Sequence, residues 1–182
     1  MRKILISATL AATAAIICSP AMAGVEATTA FEQLKSLEGS WQGTPEGTGD
    51  EAAAEAEALA EVVHRFAISA GGTVVMETMS PGTDHEMINM YHLDGDDLVL
   101  THYCSGGNQP QMRLDREASS LESLVFEFAG GTNLDPATDQ HIHAANLRLL
   151  EDGDMDSVWY AYAGGEQAGE MAIHLSRSTD SD

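Results

Sequence analysis

Residues 86–110, EMINMYHLDGDDLVLTHYCSGGNQP, constrain the fold more than any other stretch. Two apolar-rich runs, 87–93 and 98–104, flank Asp94-Gly95. Asp-Gly between such runs signals a β-hairpin, because glycine enters positive φ without a steric penalty. Alternation puts Leu98, Leu100, His102 and Cys104 on one face of the second run and Val99, Thr101 and Tyr103 on the other. A two- or four-residue loop sets Met87, Asn89, Tyr91 and Leu93 on the face of Leu98. A three-residue loop with a bulge sets Ile88, Met90 and His92 there instead. Both faces carry apolar side chains, as the wall of a closed barrel does.

The same grammar recurs along the chain. Residues 62–69 alternate, Gly71-Gly72 turns, residues 73–79 return, and Pro81-Gly82 turns again. Further strands are predicted at 112–116, 123–128, 141–150, 157–163 and 170–177, punctuated by Gly130-Gly131, Asp152-Gly153 and Gly164-Gly165. Hairpins in succession without intervening helices predict an all-β, antiparallel up-and-down barrel of about nine or ten strands. Phe31, Leu34 and Leu37 stand at helical spacing and predict a short amphipathic helix before the first strand at Ser40–Thr44. Residues 51–61, EAAAEAEALAE, have helical propensity but no broad apolar stripe, and are expected to be a solvated insertion or a frayed helix.

The first residues read as an address. Arg2 and Lys3 precede an apolar run from Ile4 to Ile17, and Ala21-Met22-Ala23 supplies the small residues of a cleavage site. Residues 1–23 are therefore expected to be a cleaved signal peptide, residues 24–177 the barrel domain and residues 178–182 a disordered polar tail. The run is too short to span a bilayer, and no membrane insertion is expected after cleavage. The protein is expected to be exported, to the periplasm or outside the cell.

Charge and cysteine content then exclude whole classes. Loss of Arg2 and Lys3 takes the formal charge from −21 to −23 and leaves Lys35 as the lone lysine. Such a surface repels nucleic acid and anionic lipid. Cys104 is the single cysteine beyond the leader, so no intramolecular disulfide forms and stability rests on burial.

Several polar residues stand out as candidates. His102 and Cys104 share a face, and His141 and His143 stand at strand spacing, which suits a transition metal if His102 or Cys104 lies opposite. Asn108-Gln109 and Asn133 lie in Gly-rich turns, where their default role is to fix the turn and their alternative is to line a polar entrance. Tyr91, His102, Cys104, Asn108, Gln109, Asn133, His141 and His143 are the candidate ligand-binding residues. His102, Cys104, His141 and His143 are the alternative metal ligands. No nucleophile-elbow pattern accompanies Cys104, and same-strand neighbours two apart stand about 6–7 Å from each other, too far for a His102–Cys104 hydrogen bond.

Two resemblances add to this reading. HEMINMYHLDGDDLVLTHYCSGGNQP, the later GGTNLDP with His141-Ile142-His143, and Gly39-Ser40-Trp41-Gln42-Gly43 resemble a family of exported bacterial lipocalin-like (calycin-type) barrel proteins with no settled activity. That resemblance implies a barrel in which Trp41 plugs one end. A fainter one, through LEGSWQGTPEG and a histidine near the C-terminus, is to nitrobindin-type barrels, and implies haem with His174 as its ligand. The expectation is thus a binding protein rather than an enzyme, holding a small, partly apolar molecule without a cofactor. The alternative is a protein that binds a divalent transition metal or haem.

Overall fold

The computed structural model describes residues 24–59 and 61–178, side chains at 51 and 55 excepted. The expected leader and the last four residues of the expected tail lie outside the described residues. Ser178, the first residue of that tail, still donates its N–H to Ser40 O at 2.9 Å.

The chain is an all-β, closed up-and-down barrel of ten antiparallel strands. In order these are β1 (Gly39–Thr48), β2 (Val62–Ser69), β3 (Val74–Met79), β4 (Met87–Asp94), β5 (Asp97–Tyr103), β6 (Gln109–Leu114), β7 (Ser123–Thr132), β8 (His141–Leu149), β9 (Met155–Ala163) and β10 (Glu166–Arg177). Each strand pairs with the next, and β10 pairs back onto β1, so no edge is left open. Helix α1 (Ala27–Lys35) precedes β1, and helix α2 (Asp50–Leu59) joins β1 to β2.

Alternation decides which side chains enter. In β3 the inward set is Val75, Glu77 and Met79; in β2 it is Val62, His64 and Phe66. The central hairpin pairs Asp94 with Asp97, Tyr91 with Leu100 and Asn89 with His102. The loop is thus the two residues Gly95-Asp96, with Gly95 at φ 63°. Of the two registers open to the sequence, the structure takes the one that turns Asn89 and Tyr91 inward with Leu100 and His102.

One end of the barrel is filled. Ala27, Ala30, Phe31 and Leu34 of α1 are buried, and α1 packs on β4 and β5. Trp41 is the expected plug: it is 1% exposed and its indole Nε1–H donates to Leu37 O at 2.8 Å. The Arg177 guanidinium lies 4.4 Å from its ring centre and donates to Glu38 O and Ser36 O, tying the end of β10 to the turn after α1. Above this plug, Phe66, Tyr91, Leu98, Leu100 and Phe126 pack the barrel axis.

The opposite end is closed only in part, by α2. Most of its described side chains are exposed, as expected from its composition, but one side of it meets the barrel rim. Ala56 is buried, and a Cβ on Gly47 would meet the Ala52 carbonyl oxygen at 2.1 Å. Its alanines pack against glycines of the barrel rim. A face of small residues carries little weight in an apolar-stripe reading, yet it allows this close backbone approach.

Candidate functional site

Above the packed half of the barrel lies a cavity of about 740 Å3 that opens between α2 and the β5–β6 and β7–β8 loops. Its walls are Val62, Met79, Met87, Trp159, Met171 and Ile173, and its floor carries two imidazoles, His64 and His102. Both histidines are 1% exposed.

Beneath the floor, Glu77 organises a polar network across β2, β3, β4 and β5. Its Oε1 accepts from His64 Nδ1 at 2.7 Å; its Oε2 accepts from Asn89 Nδ2 at 2.8 Å and from the Tyr91 hydroxyl at 2.6 Å. Asn89 has then spent its amide on Glu77, so its Oδ1 faces His102 Nδ1 at 2.7 Å as an acceptor. A buried carboxylate of this kind is tolerable only when such donors surround it. Burial pushes the Glu77 carboxyl up. The hydrogen bond and charge of His64, with the bonds from Tyr91 and Asn89, outweigh burial and hold Glu77 below the ordinary carboxylate range. Burial and the neighbouring Glu77 charge push the Tyr91 hydroxyl well up. Burial lowers His102 to about 4, against the opposing pull of Glu77, so this ring is neutral at pH 7.

The network also fixes tautomers. Both Nδ1 atoms donate inward, His64 to Glu77 and His102 to Asn89, which leaves the Nε2 edges on the cavity side of each ring. Among the described residues, three buried polar side-chain atoms have no partner: His64 Nε2, His102 Nε2 and Asn108 Oδ1. All three residues line this one cavity. Unpartnered buried polar atoms are uncommon and each asks for an explanation.

The eight candidate residues separate into distinct roles. His102, Cys104, Asn108 and His141 line the cavity. Tyr91 does not; it is fully buried under the floor as a donor to Glu77. Gln109 and Asn133 do meet at one end of the barrel, but they serve the turn: Gln109 Oε1 accepts from Thr132 Oγ1 at 2.8 Å and from Asn133 Nδ2 at 2.9 Å. Asn133 sits at φ 51°, a conformation asparagine tolerates. Asn108 Nδ2 donates to Gln140 O at 2.7 Å, clamping the β5–β6 loop to the β7–β8 loop, and its Oδ1 is left as an acceptor.

His141 and His143 are not the parallel pair that strand spacing suggests. Register shifts between Ile142 and Ala144, and the extra residue at the bulge turns His143 out of the cavity. There it is sandwiched between Phe128, with ring centres 4.5 Å apart, and Tyr162 at 3.9 Å. His141 Nδ1 donates to Asp139 O at 2.9 Å, so its Nε2 accepts from His143 Nδ1 at 3.0 Å. Both nitrogens of His141 are spent, and no lone pair on that ring remains for a metal. Burial and His141 together push the His143 ring down. Among the described residues, no group of three or more His, Cys, Asp and Glu side chains is arranged to hold a metal ion. His102, Cys104, His141 and His143 are therefore not brought together in the way the metal alternative needs. The residue implied for haem does not fit either. The His174 side chain is 57% exposed on the outer wall, where Nδ1 meets Asp156 at 2.8 Å and Nε2 meets Asp154 at 3.4 Å.

His64, Glu77 and Asn89 were not among the candidates from sequence. Glu77 left a signal: it takes the inward parity of β3 between Val75 and Met79, the wrong place for a charge without partners.

No family model matches the chain. No curated protein is significantly similar to it. Solved structures resemble it in fold. A protein of unknown function of the DUF3598 family from Nostoc punctiforme superposes with a TM-score of 0.51 at 11% identity, over 80% of this chain and 49% of that one. This chain thus spans about half the length of the Nostoc protein. Rv2717c from M. tuberculosis superposes with a TM-score of 0.48 at 20% identity, over 82% of this chain and 97% of that one. The likeness to the Nostoc protein supports the barrel and extends no further than the fold.

Proposed function

We propose that this barrel is a binding module for a small, partly apolar molecule held in the cavity between α2 and the His64–His102 floor. The observation that carries the reading is the cavity itself. Its volume of about 740 Å3 falls within the roughly 300–1,000 Å3 typical of pockets for small ligands. Methionine, isoleucine and tryptophan walls with a few buried polar atoms are the composition such pockets share. The polar network gives the floor a fixed geometry, so a ligand finds its partners already oriented. The export leader read in residues 1–23 supports a ligand met in the periplasm or outside the cell.

The test is titration of the purified protein with an environment-sensitive apolar dye, beside an Ala161→Trp variant. Ala161 lines the cavity, and an indole there fills it. Saturable binding at one dye per chain, lost in A161W with unfolding unchanged, is the expected result. Absence of saturable binding, or binding indifferent to A161W, removes the reading.

A further inference from the structure

The orphaned polar atoms specify the ligand's chemistry, and this step rests on the binding reading above. Two of the three orphans are acceptors. His102 donates through Nδ1 to Asn89 and is neutral, so Nε2 carries a lone pair. His64 donates through Nδ1 to Glu77, and its Nε2 is left without a partner. Asn108 has committed its amide to Gln140 O, which leaves Oδ1, nearer the mouth, as a carbonyl acceptor. The two acceptors, His102 Nε2 and Asn108 Oδ1, are complementary to a ligand that brings N–H or O–H groups.

Charge narrows the choice between those donors. Among the described residues that line the cavity there is no lysine or arginine, while Asp50 stands at the mouth and the Glu77 carboxylate lies directly behind the floor. The titratable groups facing the cavity are thus Asp50, His64, His85, His102, Cys104 and His141. An anionic head would meet Asp50 and the Glu77 carboxylate with no lysine or arginine among the described lining residues to balance it. The Trp159 ring, another lining residue, has its centre 5.6 Å from that of His102 and adds an aromatic group beside the floor, a residue type that attracts cations. The formal charge of −21 on the whole chain draws cations toward the mouth.

We propose that the cavity takes an amphiphilic primary amine, with its ammonium group donating to His102 Nε2 at the floor and its apolar body against Met79, Met87, Met171 and Ile173.

The test compares three probes of one chain length, decylamine, 1-decanol and decanoate, by calorimetric titration of the purified protein. Salt is kept high enough to screen the acidic surface. Decylamine is expected to bind at least tenfold more tightly than either of the others, and to lose about tenfold in His102→Phe while decanol changes little, one charge-assisted hydrogen bond being worth about that factor. The comparison on the unaltered protein stands even if H102F fails to fold. Decanol or decanoate binding as tightly as decylamine overturns the amine assignment and leaves the binding module intact. Amine binding that survives A161W belongs to the acidic surface and overturns it too. If no probe binds, and the apolar dye fails as well, the orphaned acceptors are met by water alone, and both this inference and the binding reading fall.

Discussion

Glu77 is the residue whose replacement separates a real buried network from a coincidence of close atoms. Two substitutions of similar size make opposite demands on it. In Glu77→Leu, the Tyr91 hydroxyl, the Asn89 amide and His64 Nδ1–H all lose their acceptor in a site closed to water. Breaking a buried charged cluster by removing one member destabilises by about 3–5 kcal/mol. In Glu77→Gln, the amide oxygen placed at the Oε2 position still accepts from Tyr91 and Asn89. The new NH2 then faces His64 Nδ1, and His64 answers by moving its proton to Nε2, so that Nδ1 accepts. Every bond survives as a neutral one, and the loss is about 1–2 kcal/mol, the difference between charged and neutral hydrogen bonds at this site. Urea unfolding followed by tryptophan fluorescence reads the contrast. With a slope of about 2 kcal/mol per molar, E77L lowers the midpoint by roughly 2 M and E77Q by less than 1 M. The carboxyl is held below its unfolded value, so its contribution is present above the unfolded pKa and lost as pH falls through the folded one. Both variants should flatten that acid limb. An E77L protein as stable as E77Q would refute the network, because it would mean the three donors never depended on the carboxylate.

Other expectations follow from the same geometry. His102 is lowered from 6.5 to about 4 in the fold. The unfolded chain binds the extra proton in that window, so stability from this ring is complete above about pH 6.5 and falls by about 3 kcal/mol on the way to pH 4. In H102F, stability measured between those pH values should be nearly flat by comparison; a slope equal to that of the unaltered protein would show that His102 is not buried as a neutral ring. Trp41→Ala empties the plug and removes the ring beneath the Arg177 guanidinium, with a loss of about 3–5 kcal/mol in denaturant unfolding. A loss under 1 kcal/mol would mean that α1 closes the barrel without it. Gly47→Ala sets a methyl against the Ala52 carbonyl, so α2 must shift from the rim. Hydrogen exchange should quicken in residues 50–59 while β4 and β5 keep their protection; uniform protection throughout would contradict the packing of α2 on glycine. His174→Ala, on the outer wall, should leave dye binding in the cavity unchanged, and a loss of binding would contradict its outward direction.

The barrel was legible because its information is local. Alternation of period two and Gly-containing turns are written in neighbouring residues, and the approximate strand count and the connections follow from them, while the Trp41 plug came from the family resemblance. The register of the central hairpin sat one step beyond that reach, since either loop length satisfied the pattern. What chose it is visible only in three dimensions. The two-residue loop brings Asn89 against His102 and Tyr91 beneath Glu77, whereas the bulged loop would have turned both away from a carboxylate already committed inward on β3. The site was harder to read for the same reason. Its bonded members lie twelve to fourteen residues apart along successive hairpins, and a pattern of single polar residues on separate strands has no spacing signature. His141 and His143 show the opposite error: a clear spacing signature, cancelled by one bulge.

Glu77 links these observations to the proposed chemistry. A charge in the inward parity of an apolar strand destabilises the barrel unless neighbours donate to it, and the neighbours that do so are the imidazole of β2 and the amide of β4. Their donation settles the direction of every bond in the chain of contacts, out to His102. The lone pair that remains on His102 Nε2 is therefore a consequence of one buried carboxylate rather than an independent feature of the pocket. A barrel built only for stability would gain by filling these positions with apolar side chains of the same volume. That the floor instead presents the His102 acceptor to a largely apolar cavity is what ties the buried network to the proposed ligand recognition.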